Sequence, residues 1–253
     1  HKFATPDKIE SALKFVKKIC FIHPDKINPR GLNFQNGYLK FDYDSDGKLK
    51  KELVKPSDEV YFTYIAPCDY SPVADSNVLE AALADMLDES QQDILLRVMS
   101  AALDLEEIRR RHGRAARMLY LWGEGSNGKD TLRVWLQTLF GDAALTNVSL
   151  KDFKLLDESK GYATIALTRS KINWPSENSQ IAIDHCQSLK SFATGDPITV
   201  RDIYKACITF NPKAVGLFNI NKIPNTQSHD AAIDTRTCII RFENTFSSNP
   251  GPK

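Results

Sequence analysis

The run Gly123-Glu124-Gly125-Ser126-Asn127-Gly128-Lys129 has residue types and spacing suited to holding a chain of phosphates. Glycines let a loop curl until successive amide N–H groups point inward at anionic oxygens. A helix that starts directly after such a loop adds its positive end, and a lysine at that start places a point charge on the outer phosphates. The general pattern is glycine, four residues, glycine, lysine, then serine or threonine. Gly128 and Lys129 fit it, but Asp130 stands where the hydroxyl belongs and Thr131 follows one place later. Residues 123–131 are therefore the candidate nucleotide-binding set. Asp130 can ligate Mg²⁺ as a hard oxygen donor. It also sets negative charge near the phosphates unless a metal is present.

A second acid is expected to complete such a site, because Mg²⁺ or an attacking water needs a carboxylate. Glu177 follows a strand pattern at 171–175, in the order Trp174-Pro175-Ser176-Glu177-Asn178. With Asp130 it forms the candidate metal pair. The strand leading to Glu177 is expected to lie next to the strand that leads to the phosphate loop. A surface glutamate in a turn is the other reading of this residue.

These groups need a rigid sheet behind them. Met118-Leu119-Tyr120-Leu121-Trp122 is a continuous apolar run, as in a strand buried on both faces. A helical pattern at 131–140 follows the loop. Strand patterns at 171–175, 214–220 and 238–242 alternate with a helix at 181–192, which predicts a mostly parallel sheet flanked by helices. Residues 198–210 read as a hairpin. Ahead of this part, residues 7–20 have amphipathic helical spacing, Asn36-Gly37 marks a hairpin within 32–43, and 76–105 carries two helical patterns. The arginine-rich run 106–117 reads as a solvated helix or connector, with a DNA-facing patch as the other reading. A boundary near Gly113 divides the chain into 1–112, a smaller mainly helical domain with a hairpin, and 113–253, the phosphate-loop domain.

Composition narrows the class. The chain has 253 residues, 42% hydrophobic and 26% charged, which suits one large or two modest globular domains. The net charge of +1 gives no global nucleic-acid signature, so a DNA partner would need a local patch. No apolar run reaches the roughly 18 residues of a membrane span, so no membrane partner is expected. Five scattered cysteines without a CxxC pair argue against a disulfide framework or zinc ribbon and fit a reducing cytoplasm.

Taken in order, the motifs resemble the poxvirus and phage type of primase-helicase, a branch of the superfamily-three helicases. The resemblance rests on Asn36 to Asp42, on the phosphate loop 123–129 and on Ser176-Glu177-Asn178. It continues through Thr194-Gly195-Asp196-Pro197-Ile198 with Arg201, Tyr204 and Lys205, through Phe218 to Pro224, and through Asp234-Thr235-Arg236. It implies an α/β fold of the AAA+-like P-loop NTPase kind. It implies an ATP-dependent motor that uses Mg²⁺, forms a homo-oligomeric ring, often a hexamer, and moves on single-stranded or forked DNA in the host cytoplasm. A primase domain is expected on the same full-length chain. Lys129, Glu177 and Asn221 would be catalytic in one subunit and Arg236 would reach in from its neighbour; an ion pair with Asp234 or a neighbouring carboxylate is the other reading of Arg236. Arg201, Tyr204 and Lys205 would contact DNA, or else decorate and pack the hairpin surface. Asp130 in the hydroxyl position keeps an alternative open: a nucleotide-binding, ring-forming DNA-binding module with little or no hydrolysis.

Overall fold

The computed structural model describes residues 5–23, 26–113, 116–159, 161–176, 186–222, 233 and 235–247. The chain opens with helix α1 (Pro6–Ile19), which has a proline and Asp7 in its first turn and Lys17 and Lys18 in its last. Those charges complement the helix dipole. None of its residues is buried. Strands β1 (Gly31–Phe34) and β2 (Gly37–Tyr43) form the expected antiparallel hairpin around Gln35 and Asn36. Strand β3 (Leu49–Val54) pairs with the other edge of β2. It carries Lys50, Lys51 and Glu52, and such charges blunt a free sheet edge.

Helices α2 (Asn77–Met86), α3 (Glu89–Ala101) and α4 (Leu105–His112) follow. Asp88 and Asp104 cap α3 and α4 by accepting the amides of Gln91 and Glu107. Next come β4 (Met118–Trp122), α5 (Lys129–Phe140), β5 (Leu145–Thr146), α6 (Leu150–Asp157), β6 (Ile172–Asn173) and α7 (Gln187–Thr194). The hairpin β7 (Ile198–Arg201) and β8 (Cys207–Phe210) precedes β9 (Val215–Ile220) and β10 (Thr237–Arg241). The expected helix at 181–192 falls partly outside the described residues.

Five of these strands make one sheet in the order β10-β4-β9-β6-β5, with every pairing parallel. The fold is α/β, of the AAA+-like P-loop kind, with helices on both faces. Alternation along β4 shows how both faces are filled. Leu119 and Leu121 join Leu132, Leu136 and Phe140 of α5 and Leu95 of α3. Met118 and Tyr120 join Phe153 of α6 and Leu189 and Phe192 of α7. The first of these clusters also takes in Leu32, Phe34 and Leu39, so one core runs across the expected boundary at Gly113. One expectation is corrected. β9 lies between β4 and β6, so the strand leading to Glu177 is two places from the phosphate-loop strand rather than next to it. Sequence order hides this, because β9 enters the sheet last but one and fills the gap.

The arginine run also differs from a solvated connector. Arg109 is half-buried and donates to the carbonyls of Phe192, Ala193 and Pro212, closing the end of α7. Arg110 and Arg111 donate to the buried carboxylate of Glu107. Arg30, just before β1, reaches Asp104 at 3.4 Å and Glu107 at 3.8 Å, which docks the small sheet onto α4.

Hydrogen bonds from Arg110, and then from Arg111, hold the Glu107 carboxyl down from 4.5 to about 2. A depressed carboxyl contributes stability above its unfolded value, and that stability is lost as pH falls through the folded one. Urea midpoints measured between pH 7 and pH 2 should therefore fall through the window from 4.5 to 2. Glu107→Gln should start lower at pH 7 and fall less across that window. Parallel curves for the two proteins would contradict the assignment.

Candidate functional site

The loop after β4 bends as its glycines require. Ser126 and Gly128 both have left-handed backbones, at φ of 58° and 87°. A side chain at Gly123 would meet the carbonyl oxygen of Phe242 at 2.6 Å, so the loop lies directly on the chain that leaves β10. Asn127 is buried and donates from Nδ2 to the Glu124 carbonyl at 2.5 Å, fixing the curl. Gly128 caps α5, and Lys129 is its first helical residue. Asp130 and Thr131 are exposed in the same first turn.

Lys129 is only 7% exposed. Its ammonium donates to the carbonyls of Gly123 at 2.7 Å and Glu124 at 3.3 Å, and it lies 5.6 Å from the centre of the Phe242 ring. Burial pushes its pKa down, and the nearby charge of Asp130 pulls it partly back. The loop borders a cleft of about 600 Å³ beyond the carboxyl ends of the strands. Open α/β sheets bind their ligands in this position. Every residue from Glu124 to Thr131 lines it.

Two further walls were not legible in the sequence. Ala82, Asp85 and Met86 of α2 line the cleft, and a side chain at Gly128 would meet Met86 Cε at 2.5 Å. Their i, i+3, i+4 spacing puts them on one helix face. The segment after β10 supplies the other wall. Phe246 lines the cleft, and its amide donates to the Ser126 carbonyl at 2.7 Å. Asn244 Nδ2 donates to the Asp85 carbonyl at 2.6 Å, tying this segment to α2.

Asn221, expected as a catalytic group, lines the cleft just past β9. Asn219 also reaches the cleft, and the sequence reading missed it. Its Oδ1 accepts from Trp174 Nε1 at 2.9 Å and its Nδ2 donates to the Ser176 carbonyl at 3.2 Å. The signal was available in its place at the carboxyl end of β9, two residues before Asn221. Asn219 thus pins Ser176, which also lines the cleft, against β9. Glu177, Asn178 and Asp234 lie outside the described residues.

Arg236 stands elsewhere. Its carbonyl accepts from the Met118 amide at the start of β4, and β10 runs parallel to β4 from there. The phosphate loop leaves the far end of β4, five residues away, at about 3.3 Å each. Arg236 is absent from the lining of its own cleft. The residues of the β7–β8 hairpin are absent from it too. There Ile198 and Val200 are buried while Thr199 and Arg201 face out. Arg201 donates to Tyr162 Oη at 3.2 Å, and Lys205 pairs with Asp202 at 2.6 Å. Tyr204 sits at the tip with a left-handed backbone and is fully exposed.

A family profile described as a family of unknown function (DUF5906) matches residues 121–236, a little under half of the chain. Curated protein sequences give no match. The structure is similar to the A-form apo structure of the NrS-1 C-terminal region, with a TM-score of 0.54 and 14% identity over 95% of this chain and 54% of that one. Two further structures of that region give TM-scores of 0.51, at 16% and 14% identity. The chain spans about half the length of these structures. At such identities the likeness is one of fold. Among the described residues no helix is long and apolar enough to cross a membrane.

Gly128→Ala should disable the cleft. A left-handed backbone costs an alanine about 1–2 kcal/mol, and its methyl would displace Met86. If the cleft takes a nucleotide, titration with a fluorescent one should show roughly tenfold weaker binding. Adding Met86→Ala should rescue part of the loss, because it relieves the contact and leaves the backbone strain. Unchanged affinity in Gly128→Ala would contradict this geometry.

Proposed function

We propose that this chain is the ATP-hydrolysing motor part of a DNA helicase, of the primase-helicase type used in replication by phages, viruses or plasmid-like elements. One observation carries the reading: a buried lysine ammonium at the start of α5, bonded to two loop carbonyls and, among the described residues, to no carboxylate, faces a cleft wide enough for a nucleoside triphosphate. Amides of the curled loop and the positive end of α5 would receive the phosphates. Asp130 and Thr131 at the cleft edge suit a hard cation, and Mg²⁺ there would neutralise charge on the phosphates. Glu177 would hold or polarise the water. Asn221 would orient the outer phosphate by its amide, with Asn219 bracing Trp174 and Ser176 behind it.

The place of Arg236 favours a ring. A cation at the opposite end of the sheet is of no use to its own cleft, but a neighbouring copy could receive it. Such a group is worth about 10³ to 10⁵ in rate where it acts on a transferring phosphoryl group. The hairpin is the proposed DNA contact, with Tyr204 stacking on a base and Arg201 and Lys205 facing phosphates. Lys205 would exchange Asp202 for a phosphate at little cost, since exposed ion pairs are weak. Hexamer formation, a primase domain on the full-length chain and a place in the host cytoplasm belong to the same proposal. Asp130 favours a second reading, a ring-forming DNA-binding module that binds nucleotide without turnover.

Turnover assays with and without single-stranded DNA separate the two. The motor predicts DNA-stimulated hydrolysis, a loss of at least a hundredfold in Lys129→Ala, and weakened DNA stimulation in Tyr204→Ala. Mixing Arg236→Ala with Lys129→Ala subunits should restore part of the activity that each lacks alone. Wild type that never turns over, even as an assembled ring on DNA, would leave the binding module. Asp130 adds a further expectation: ADP affinity measured by calorimetry should fall at least tenfold when Mg²⁺ is removed. Equal affinities would show that Asp130 does not act through a metal.

A further inference from the structure

We infer that the flank of the cleft built by α2 and the segment after β10 is a nucleobase subsite that selects a purine carrying N–H donors on its Watson–Crick edge. The inference rests on the proposal that the cleft takes a nucleoside triphosphate, and it adds what reads the base. Met86 of α2 packs on Gly128 and, with Ala82, forms an apolar wall. Phe246 faces the same cleft from the strap, which is bonded to the loop at Ser126 and to α2 at Asp85. An apolar wall and an aromatic ring held by backbone bonds offer stacking surface to a flat base.

Asp85 gives the selectivity. It lines the cleft, and among the described residues no side chain engages its carboxylate. A lone carboxylate beside a site for anions repels the ligand unless a donor on that ligand meets it. The triphosphate offers no donor, but the base edge does. Adenine presents its amine, and guanine presents an amine and a ring N–H. Purine riboside, which has neither, would leave the carboxylate without a partner, and such a mismatch is what sites built on hydrogen bonds reject.

Competition binding in the presence of Mg²⁺ tests this with four probes: ATP, GTP, purine riboside triphosphate and inorganic tripolyphosphate. Wild type should bind ATP or GTP at least tenfold more tightly than purine riboside triphosphate. Asp85→Ala, an exposed position where folding can be verified by thermal melting, should shrink that ratio to about twofold or less and bind tripolyphosphate no more weakly than wild type does, because a repelling charge is removed. Phe246→Ala should weaken all three nucleosides several-fold and spare tripolyphosphate. Tripolyphosphate binding as tightly as ATP, or a wild-type preference that survives Asp85→Ala, would overturn the base subsite alone. Failure of ATP and tripolyphosphate alike to bind would overturn the nucleotide reading beneath it.

Discussion

A lysine ammonium taken out of water at the end of a parallel sheet is the constraint around which this structure is arranged. Burial lowers the affinity of Lys129 for its proton, and two carbonyl oxygens of its own loop are too few acceptors for three N–H donors. Among the described residues no carboxylate lies within ion-pair distance of it. On the proposed reading an external anion meets that deficit, and the curl of the loop, the start of α5 and the ring of Phe242 all keep the ammonium in place.

Holding that cation takes more than the loop. The small N-terminal sheet is docked onto α4 by Arg30, Asp104 and Glu107, and Arg109 closes α7 from the same helix. These contacts set α2 and α3 against the face of the sheet that α5 also covers. Met86 then reaches Gly128, and the strap after β10 runs from Phe242 to Ser126 with Asn244 bonded back to α2. The phosphate loop is thus enclosed by elements distant from it in sequence, and movement of α2 would be felt at Gly128 through a single side-chain contact.

What could be read from residue order depended on how local each signal was. The phosphate loop, the run Met118 to Trp122 and the Asn36-Gly37 hairpin carry their patterns within a few residues, and each stands where the pattern put it. Strand β6 falls inside the strand pattern at 171–175, but β5 has only two residues, too few for any periodicity to register. The two are held together by buried Asn173, which bonds both backbone groups of Val148 and the hydroxyl of Thr146. Strand β3 is almost wholly exposed, so it lacks the alternation that marks a half-buried strand. The place of β9 between β4 and β6, the use of Arg109 on carbonyls about a hundred residues away, and the wall made by Met86 and Phe246 are all long-range facts. No window of sequence contains both partners. Asn219 is the exception that was legible, since it stands two residues before Asn221 at the end of the same strand pattern.

The most direct measurement is a crystal structure with ADP, Mg²⁺ and a γ-phosphate mimic at saturating concentration. The Lys129 ammonium should leave the carbonyls of Gly123 and Glu124 and bond phosphate oxygens, with the loop amides facing the same group. A cleft that stays empty under those conditions, or a ligand that binds while Lys129 keeps its two carbonyls, would contradict the central assignment.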